Sequence, residues 1–210
     1  MKQIANMLTI TRIHNSLSAL GYMRRILALA YDYKERRSAF GKVLKDHQLH
    51  INVLARLEKV YRGNLVFLLE CAALLQEQDH GSFEKKHYLR LLTPVLKLFT
   101  AKECVSLVSE AVESFGGLGY MENSRIPVIL RDAQVLPIWE GTTNILSLDF
   151  VNDIFKNPKV NFEIVKEALK TASFDPKVAT SRLDSEITLE FVNSLSTYSK
   201  KYLDSLVLLV

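Results

Sequence analysis

The sequence predicts an all-α chain built on an antiparallel four-helix bundle, followed by a short helical C-terminal extension. Three observations carry that prediction. Apolar residues recur at spacings of three and four over long stretches, as one buried face of a helix requires. With 8 Gly and 5 Pro in 210 residues, turn material is too sparse for a sandwich or barrel that turns every ten residues or so. Hydrophobic residues make up 48% and charged residues 24%, the balance of a globular domain and not of a disordered chain.

The first stripe runs through Ile10, Ile13, Leu17, Leu20, Met23, Leu27 and Ala30, and its helix should end near Arg37 to Gly41. The second, through Leu54, Leu57, Tyr61, Leu65, Leu68, Ala72 and Leu75, stops in the polar stretch from Gln76 to Ser82. The third passes through Leu91, Val95, Leu98, Ala101, Val105, Val108, Val112 and Phe115; Pro94 opens or kinks it, and Gly116, Gly117 and Gly119 end it. A shorter fourth stripe, Ile145, Leu148, Val151 and Phe155, follows Thr142 or Thr143 as N-cap and halts before Asn157 and Pro158. Residues 1–157 thus read as the bundle. Residues 158–210 read as an extension, with a turn at Asp175 and Pro176 and one amphipathic helix through Leu183, Ile187, Phe191, Leu195, Tyr198 and Tyr202.

Charge and cysteine content narrow the function classes. The net charge of +4 is scattered, which suits anionic ligands without choosing among them. Cys71 and Cys104 both fall in helical apolar patterns, which reads as buried free thiols in a reducing compartment and not as a disulfide scaffold. No apolar run approaches the roughly 20 residues of a membrane span, so no membrane partner is expected.

Four constellations could carry chemistry. Gly116, Gly117 and Gly119 crowd three of the eight glycines into four positions, allowing either a helix end or close approach of a ligand to the main chain. Glu140 lies between the single Trp, Trp139, and Gly141 just before a helix; an acid among apolar neighbours can act as a general base, or it can complete a cap or an ion pair. Arg37, at a helix end with His47 and Gln48 one loop later, can hold a phosphate or simply face solvent. His47 and His50 have a helical metal-ligand spacing but no third ligand nearby, so no metal site is expected.

Taken together, Arg37–Gly41 with His47 and Gln48, Phe115–Tyr120, Arg131 and Asp132, and Ile138–Ile145 resemble the C-terminal helical domain of the acyl-CoA dehydrogenases. The resemblance spans about Ile10 to Phe155. The Trp before Glu140, with Leu148 and Asp149 after it, resembles most the alkylation-response (AidB-like) branch, as do Thr11 and Arg12, Leu92–Pro94 and Glu122–Ser124. It implies an FAD-dependent α,β-dehydrogenation of an acyl-CoA thioester, with Glu140 as catalytic base and its backbone N–H helping to hold the thioester oxygen. Arg12 would lie near the thioester or CoA, and Gly141 would border the acyl chain.

By the same resemblance, Arg37, Ser38, His47, Gln48, Glu113, Gly116 and Gly117 would contact FAD, often across a subunit boundary. Thr142, Thr143 and Asn144 would approach the flavin from the base side. Glu113 departs from the pattern, since the family presents Gln to the FAD pyrophosphate and a carboxylate there would repel phosphate. The resemblance further implies a homo-dimer or homo-tetramer, an electron-transfer flavoprotein as partner, and a mitochondrial or cytoplasmic location. The family's N-terminal helical domain and middle β-barrel are absent from this chain, so the chain alone is expected to fold without retaining flavin or turning over substrate. An AidB-like nucleic-acid-protective role is the alternative. It is disfavoured because residues 160–210 mix Lys166, Lys170, Lys177, Arg182, Lys200 and Lys201 with seven acids instead of massing basic charge.

Overall fold

A computed structural model describes residues 2–79 and 83–156. The expected amphipathic helix through Leu183 to Tyr202, like the rest of the extension, lies outside the described residues. Three long helices form the frame: α1 (Lys2–Arg36), α2 (Gln48–Asp79) and α3 (Phe83–Glu113). A one-turn helix α4 (Gly117–Tyr120), then α5 (Ile126–Val135) and α6 (Thr143–Lys156), complete the described chain.

Helix α3 is the centre of the assembly, packing against α1, α2, α5 and α6. Its segment from Leu91 to Lys97 is enclosed almost all round, as expected of a helix that borders neighbours on every side. Pro94 lies inside this helix and does not open it. Residues joined across the bundle set the directions. Cys104 meets the Ala19 carbonyl and Tyr33 packs on Phe115, so α1 and α3 run the same way. Arg56 pairs with Glu110, so α2 runs against α3. The core consists of Ala19, Met23, Ile26, Leu27 and Ala30 from α1 meeting Leu54, Leu57, Leu68 and Cys71 from α2 and Leu96, Cys104, Leu107 and Val108 from α3.

The structure corrects several expectations. Ile10 and Leu17 are exposed, and the inward face of the N-terminal half of α1 carries Arg12, Asn15 and Ser16 instead. The polarity is inverted there because that half packs on backbone carbonyls: Asn15 donates to the Leu136 carbonyl at 3.2 Å. On α2, Ala72 faces solvent while Cys71 and Leu74 are buried, a shift of one position along the stripe.

Two elements were not expected at all. Between α1 and α2 a hairpin pairs β1 (Ser38–Ala39) with β2 (Lys42–Val43), and both turn residues, Phe40 and Gly41, have positive φ (51° and 79°), the conformation of a two-residue type I′ turn. The other is α5, with Pro127 in its first turn; Ser124 accepts a hydrogen bond from the Ile126 N–H just ahead of it, and Arg131 forks onto Glu122 at 2.7 and 2.9 Å.

The glycine cluster does end α3, and α4 then folds back against its last turn. An added Cβ on Gly119 would overlap the Val112 backbone carbonyl, whereas one on Gly117 would meet open space. Gly119→Ala should therefore destabilise the chain by about 3 kcal/mol through overpacking against backbone that cannot yield, and Gly117→Ala should leave the thermal midpoint nearly unchanged. Equal melting of the two variants by circular dichroism would refute this account.

Candidate functional site

The described residues place the candidate side chains in two clusters at opposite ends of α1. The first surrounds Glu140 in the loop between α5 and α6. Glu140 is half-buried with φ of 57°, and Gly141 follows at 104°, so two consecutive residues lie in the positive-φ region. For a residue with a Cβ that conformation costs roughly 1 kcal/mol or more and persists only where neighbours enforce it.

The enforcing contacts come from three helices. From α1, Thr11 donates its hydroxyl to Glu140 Oε2 at 2.7 Å, and Arg12 Nε reaches the Glu140 carbonyl at 3.4 Å. From α3, Lys97 Nζ donates to the Gly141 carbonyl at 2.6 Å. From α6, Asp149 receives Arg12 Nη1 at 2.6 Å and Arg90 Nη2 at 2.6 Å, so one carboxylate ties two guanidinium groups together. Arg12 is 4% exposed. Its guanidinium is engaged with Asp149 and the loop.

Burial pushes the Asp149 carboxyl up, but the hydrogen bonds and charges of Arg12 and Arg90 outweigh it and hold the group below its ordinary value of 3.8. Burial depresses the Lys97 ammonium to about 8; the nearby Arg12 charge acts in the same direction and Glu140 opposes it. Thr142 takes the cap position of α6, its carbonyl accepting the Leu146 N–H, and Thr143 opens the helix. Asn144 follows on its exposed first turn. Trp139 and Ile138 stand 53% and 62% exposed beside the acid, forming an apolar lip.

The second cluster is a groove of about 870 Å³, open to solvent and lined in part by Arg36, Arg37, Glu113, Gly116 and Gly117. The fold brings these residues together because the C-terminal ends of α1 and α3 lie side by side, with Tyr33 donating to the Phe115 carbonyl. Ser38 lies on the adjoining hairpin, exposed. His47 holds that hairpin with Nε2 against the Ala39 carbonyl at 3.0 Å, and Gln48 at the start of α2 donates to Asn52 at 2.7 Å. His47 Nε2 is engaged with the hairpin, and among the described residues no three metal-ligating side chains cluster.

The two clusters are not one site within a single chain. Arg12 and Arg36 are 24 residues apart on α1, which at 1.5 Å per residue is about 36 Å.

Lys97 and Arg90 were not singled out in the sequence. The available signal was Lys97 itself, a lone cation between Leu96 and Leu98 on a helix whose neighbouring positions are apolar.

Comparison with known proteins fits this arrangement. Residues 1–154 match the family model described as acyl-CoA dehydrogenase, C-terminal domain. Acyl-CoA dehydrogenase family member 11 of Caenorhabditis elegans is 53% identical over 148 residues, covering 70% of this chain and 24% of that protein. The putative acyl-CoA dehydrogenase AidB of Escherichia coli is 31% identical over 168 residues, covering 80% of this chain and 30% of its own, so the alkylation-response branch is not singled out. The crystal structure of C. elegans ACDH-11 in complex with C11-CoA superposes with a TM-score of 0.75 at 46% identity, over 81% of this chain and 29% of that one. The chain spans 24–30% of the length of these relatives. By its sequence match and its helical architecture, the chain belongs to the acyl-CoA dehydrogenase family, to whose C-terminal domain residues 1–154 correspond.

Proposed function

We propose that this chain is the base-bearing domain of an FAD-dependent acyl-CoA dehydrogenase, in which Glu140 removes the α-proton of an acyl-CoA thioester. The observation that carries this reading is the Glu140 loop: a carboxylate oriented by Thr11, on backbone held in the positive-φ region by contacts from α1 and α3. Such strain is characteristic of residues whose direction matters to function.

The Glu140 carboxylate takes the proton as the α C–H bond breaks, and its electron pair becomes the new α,β double bond. Charge that develops on the thioester oxygen needs a donor, and the Glu140 N–H, unspent on any backbone carbonyl among the described residues, is the group at hand. Arg12 stabilises the loop from behind, which makes it a support for the base as much as a substrate contact. The exposed Trp139 and Ile138 give an apolar acyl chain a surface beside the carboxylate, with Gly141 bordering it.

FAD, when bound, supplies the acceptor for the hydride that leaves the β-carbon. The second groove fits the anionic end of such a cofactor in most respects: Arg37 and Arg36 supply cationic donors, and Gly116 and Gly117 leave main chain uncovered. Ser38, His47 and Gln48 follow Arg37 along the hairpin and the start of α2 and, by the family resemblance, would approach the same cofactor. Glu113 is exposed and free to turn its carboxylate toward water. Because the groove and Glu140 lie about 36 Å apart along α1, the groove of one chain and the base of another would serve one cofactor, which makes a homo-dimer or homo-tetramer the working unit. Thr142, Thr143 and Asn144 face that shared site from the base side, and an electron-transfer flavoprotein is the proposed electron acceptor.

Anaerobic mixing of the flavin-loaded full-length protein with acyl-CoAs of graded chain length should bleach the flavin and yield the 2-enoyl-CoA. Tight binding of acyl-CoA without bleaching would overturn the dehydrogenase reading.

A further inference from the structure

Lys97 is the largest wholly enclosed side chain described, at 0% exposure in the middle of α3. Enclosing an ammonium is costly unless it is well paired, and a leucine or methionine would fill the same space at less expense to the fold. The hydrogen bond it makes is not to a carboxylate but to the Gly141 carbonyl, at 2.6 Å. That carbonyl belongs to the second of the two positive-φ residues. The charged groups that bear on Lys97 come from three elements: Arg12 of α1, Glu140 of the loop and Lys102 of α3 itself, with Glu140 alone favouring the cation. Arg12 is in turn engaged with Asp149 of α6.

Two successive carbonyls of the loop, those of Glu140 and Gly141, are thus held by cations from different helices, and Lys97 makes the shorter contact. Gripping these two carbonyls fixes the peptide planes on either side of the Gly141 Cα, and so the φ and ψ of Gly141, and it anchors the peptide group from which the Glu140 Cα and its side chain depart.

We propose that Lys97 is a positioning residue for Glu140, holding the Gly141 carbonyl so that the carboxylate is kept in its working direction. This rests on the reading of Glu140 as the base. Lys97 touches neither substrate nor cofactor in this role; it acts through the loop. A packing residue would serve the bundle as a whole, whereas a loop anchor serves residues 140–144 selectively, and the two differ in what their removal disturbs.

The test compares wild type, Lys97→Met, Lys97→Gln and Glu140→Gln in the flavin-loaded full-length protein. Lys97→Met should slow flavin reduction by acyl-CoA about 100-fold, the size of effect a small misplacement produces, while acyl-CoA affinity changes less than about threefold. Backbone hydrogen exchange at Leu146 to Asp149, the first protected amides after the loop, beginning with the Leu146 N–H on the Thr142 carbonyl, should rise about tenfold or more as the loop opens locally, with α1 and α3 exchanging as in wild type. Lys97→Gln, which keeps an N–H donor on a shorter arm, should fall between wild type and Lys97→Met in both measurements.

Wild-type exchange at Leu146 to Asp149 in either variant overturns the proposal, as does an increase spread evenly over the bundle. Should Lys97→Met fail to fold, Lys97→Gln decides by the same criterion. The base reading stands or falls separately: undiminished flavin reduction in Glu140→Gln would remove it, while the exchange data would still show whether Lys97 holds the loop.

Discussion

Glu140→Gln should slow flavin reduction by acyl-CoA about 1,000-fold or more, the contribution of a positioned general base, equivalent to roughly 4 kcal/mol on the barrier. The substitution preserves shape. An amide oxygen can still accept the Thr11 hydroxyl that the carboxylate accepts at 2.7 Å, and the carbonyls of residues 140 and 141 remain available to Arg12 and Lys97. What disappears is a group that can take a proton, so acyl-CoA affinity should stay within a few-fold while the chemical step fails. A second consequence follows from the charges. Glu140 is the neighbour that favours the Lys97 cation, so its neutralisation should move Lys97 further down from about 8. Stopped-flow bleaching of the flavin and titration of the Lys97 side chain by nuclear magnetic resonance check the two effects. A variant that bleaches at the wild-type rate would place the base elsewhere.

Asp149→Ala should cost about 3 kcal/mol of stability, the lower end of the range for breaking a buried ion pair on one side. The lower end applies because the Asp149 and Arg90 side chains are 23% and 27% exposed, while that of Arg12 is only 5% exposed and is left with its charge enclosed. The pH dependence has a definite sign. Asp149 is held below its ordinary value of 3.8 in the fold, so its contribution is fully present above that value and is lost as the pH falls through it toward the depressed one. Thermal melting of wild type should therefore drop steeply below about pH 4, and the drop should be shallower in Asp149→Ala. Because Arg12 also reaches the Glu140 carbonyl, the same variant should slow flavin reduction at neutral pH. A variant that melts with the wild type at both neutral and acid pH would show the cluster to be energetically idle.

The expected helices and the observed ones agree where a helix buries an apolar stripe against apolar neighbours. The stripe through Leu20, Met23, Leu27 and Ala30, and that through Leu54, Leu57 and Leu68, lie in the core as their spacing requires. The agreement fails where the inward face is polar. In α1 the apolar Ile10 and Leu17 point outward because Arg12 and Asn15 are needed inward, against the Glu140 and Leu136 carbonyls and the Asp149 carboxylate of α6, while the small buried Ser16 bonds the Arg12 carbonyl of its own helix. Hydrophobic periodicity alone reads such a segment inside out, since it has no information about what the opposing surface offers. Helix α5 escaped notice for a related reason: only Ile126 and Ala133 of its ten residues are buried, too few to draw a stripe.

The site divides in the same way. Local sequence determined what could be read from neighbours along the chain: Glu140 beside Trp139 and Gly141, the N-terminus of α6 at Thr142 and Thr143, and the glycines that end α3. Only the tertiary structure decided what converges from a distance. Thr11, Arg12, Lys97, Arg90 and Asp149 come from three helices and as far as 137 positions apart to fix one loop. Nor could linear order show that the Arg37 groove and Glu140 stand at opposite ends of α1, because separation in space is set by the helix rise and the packing direction of α1 against α3. Residue chemistry and short-range backbone preference are written locally; the pairing of buried charges is not, since each partner's cost of burial is offset only by a group that the fold delivers.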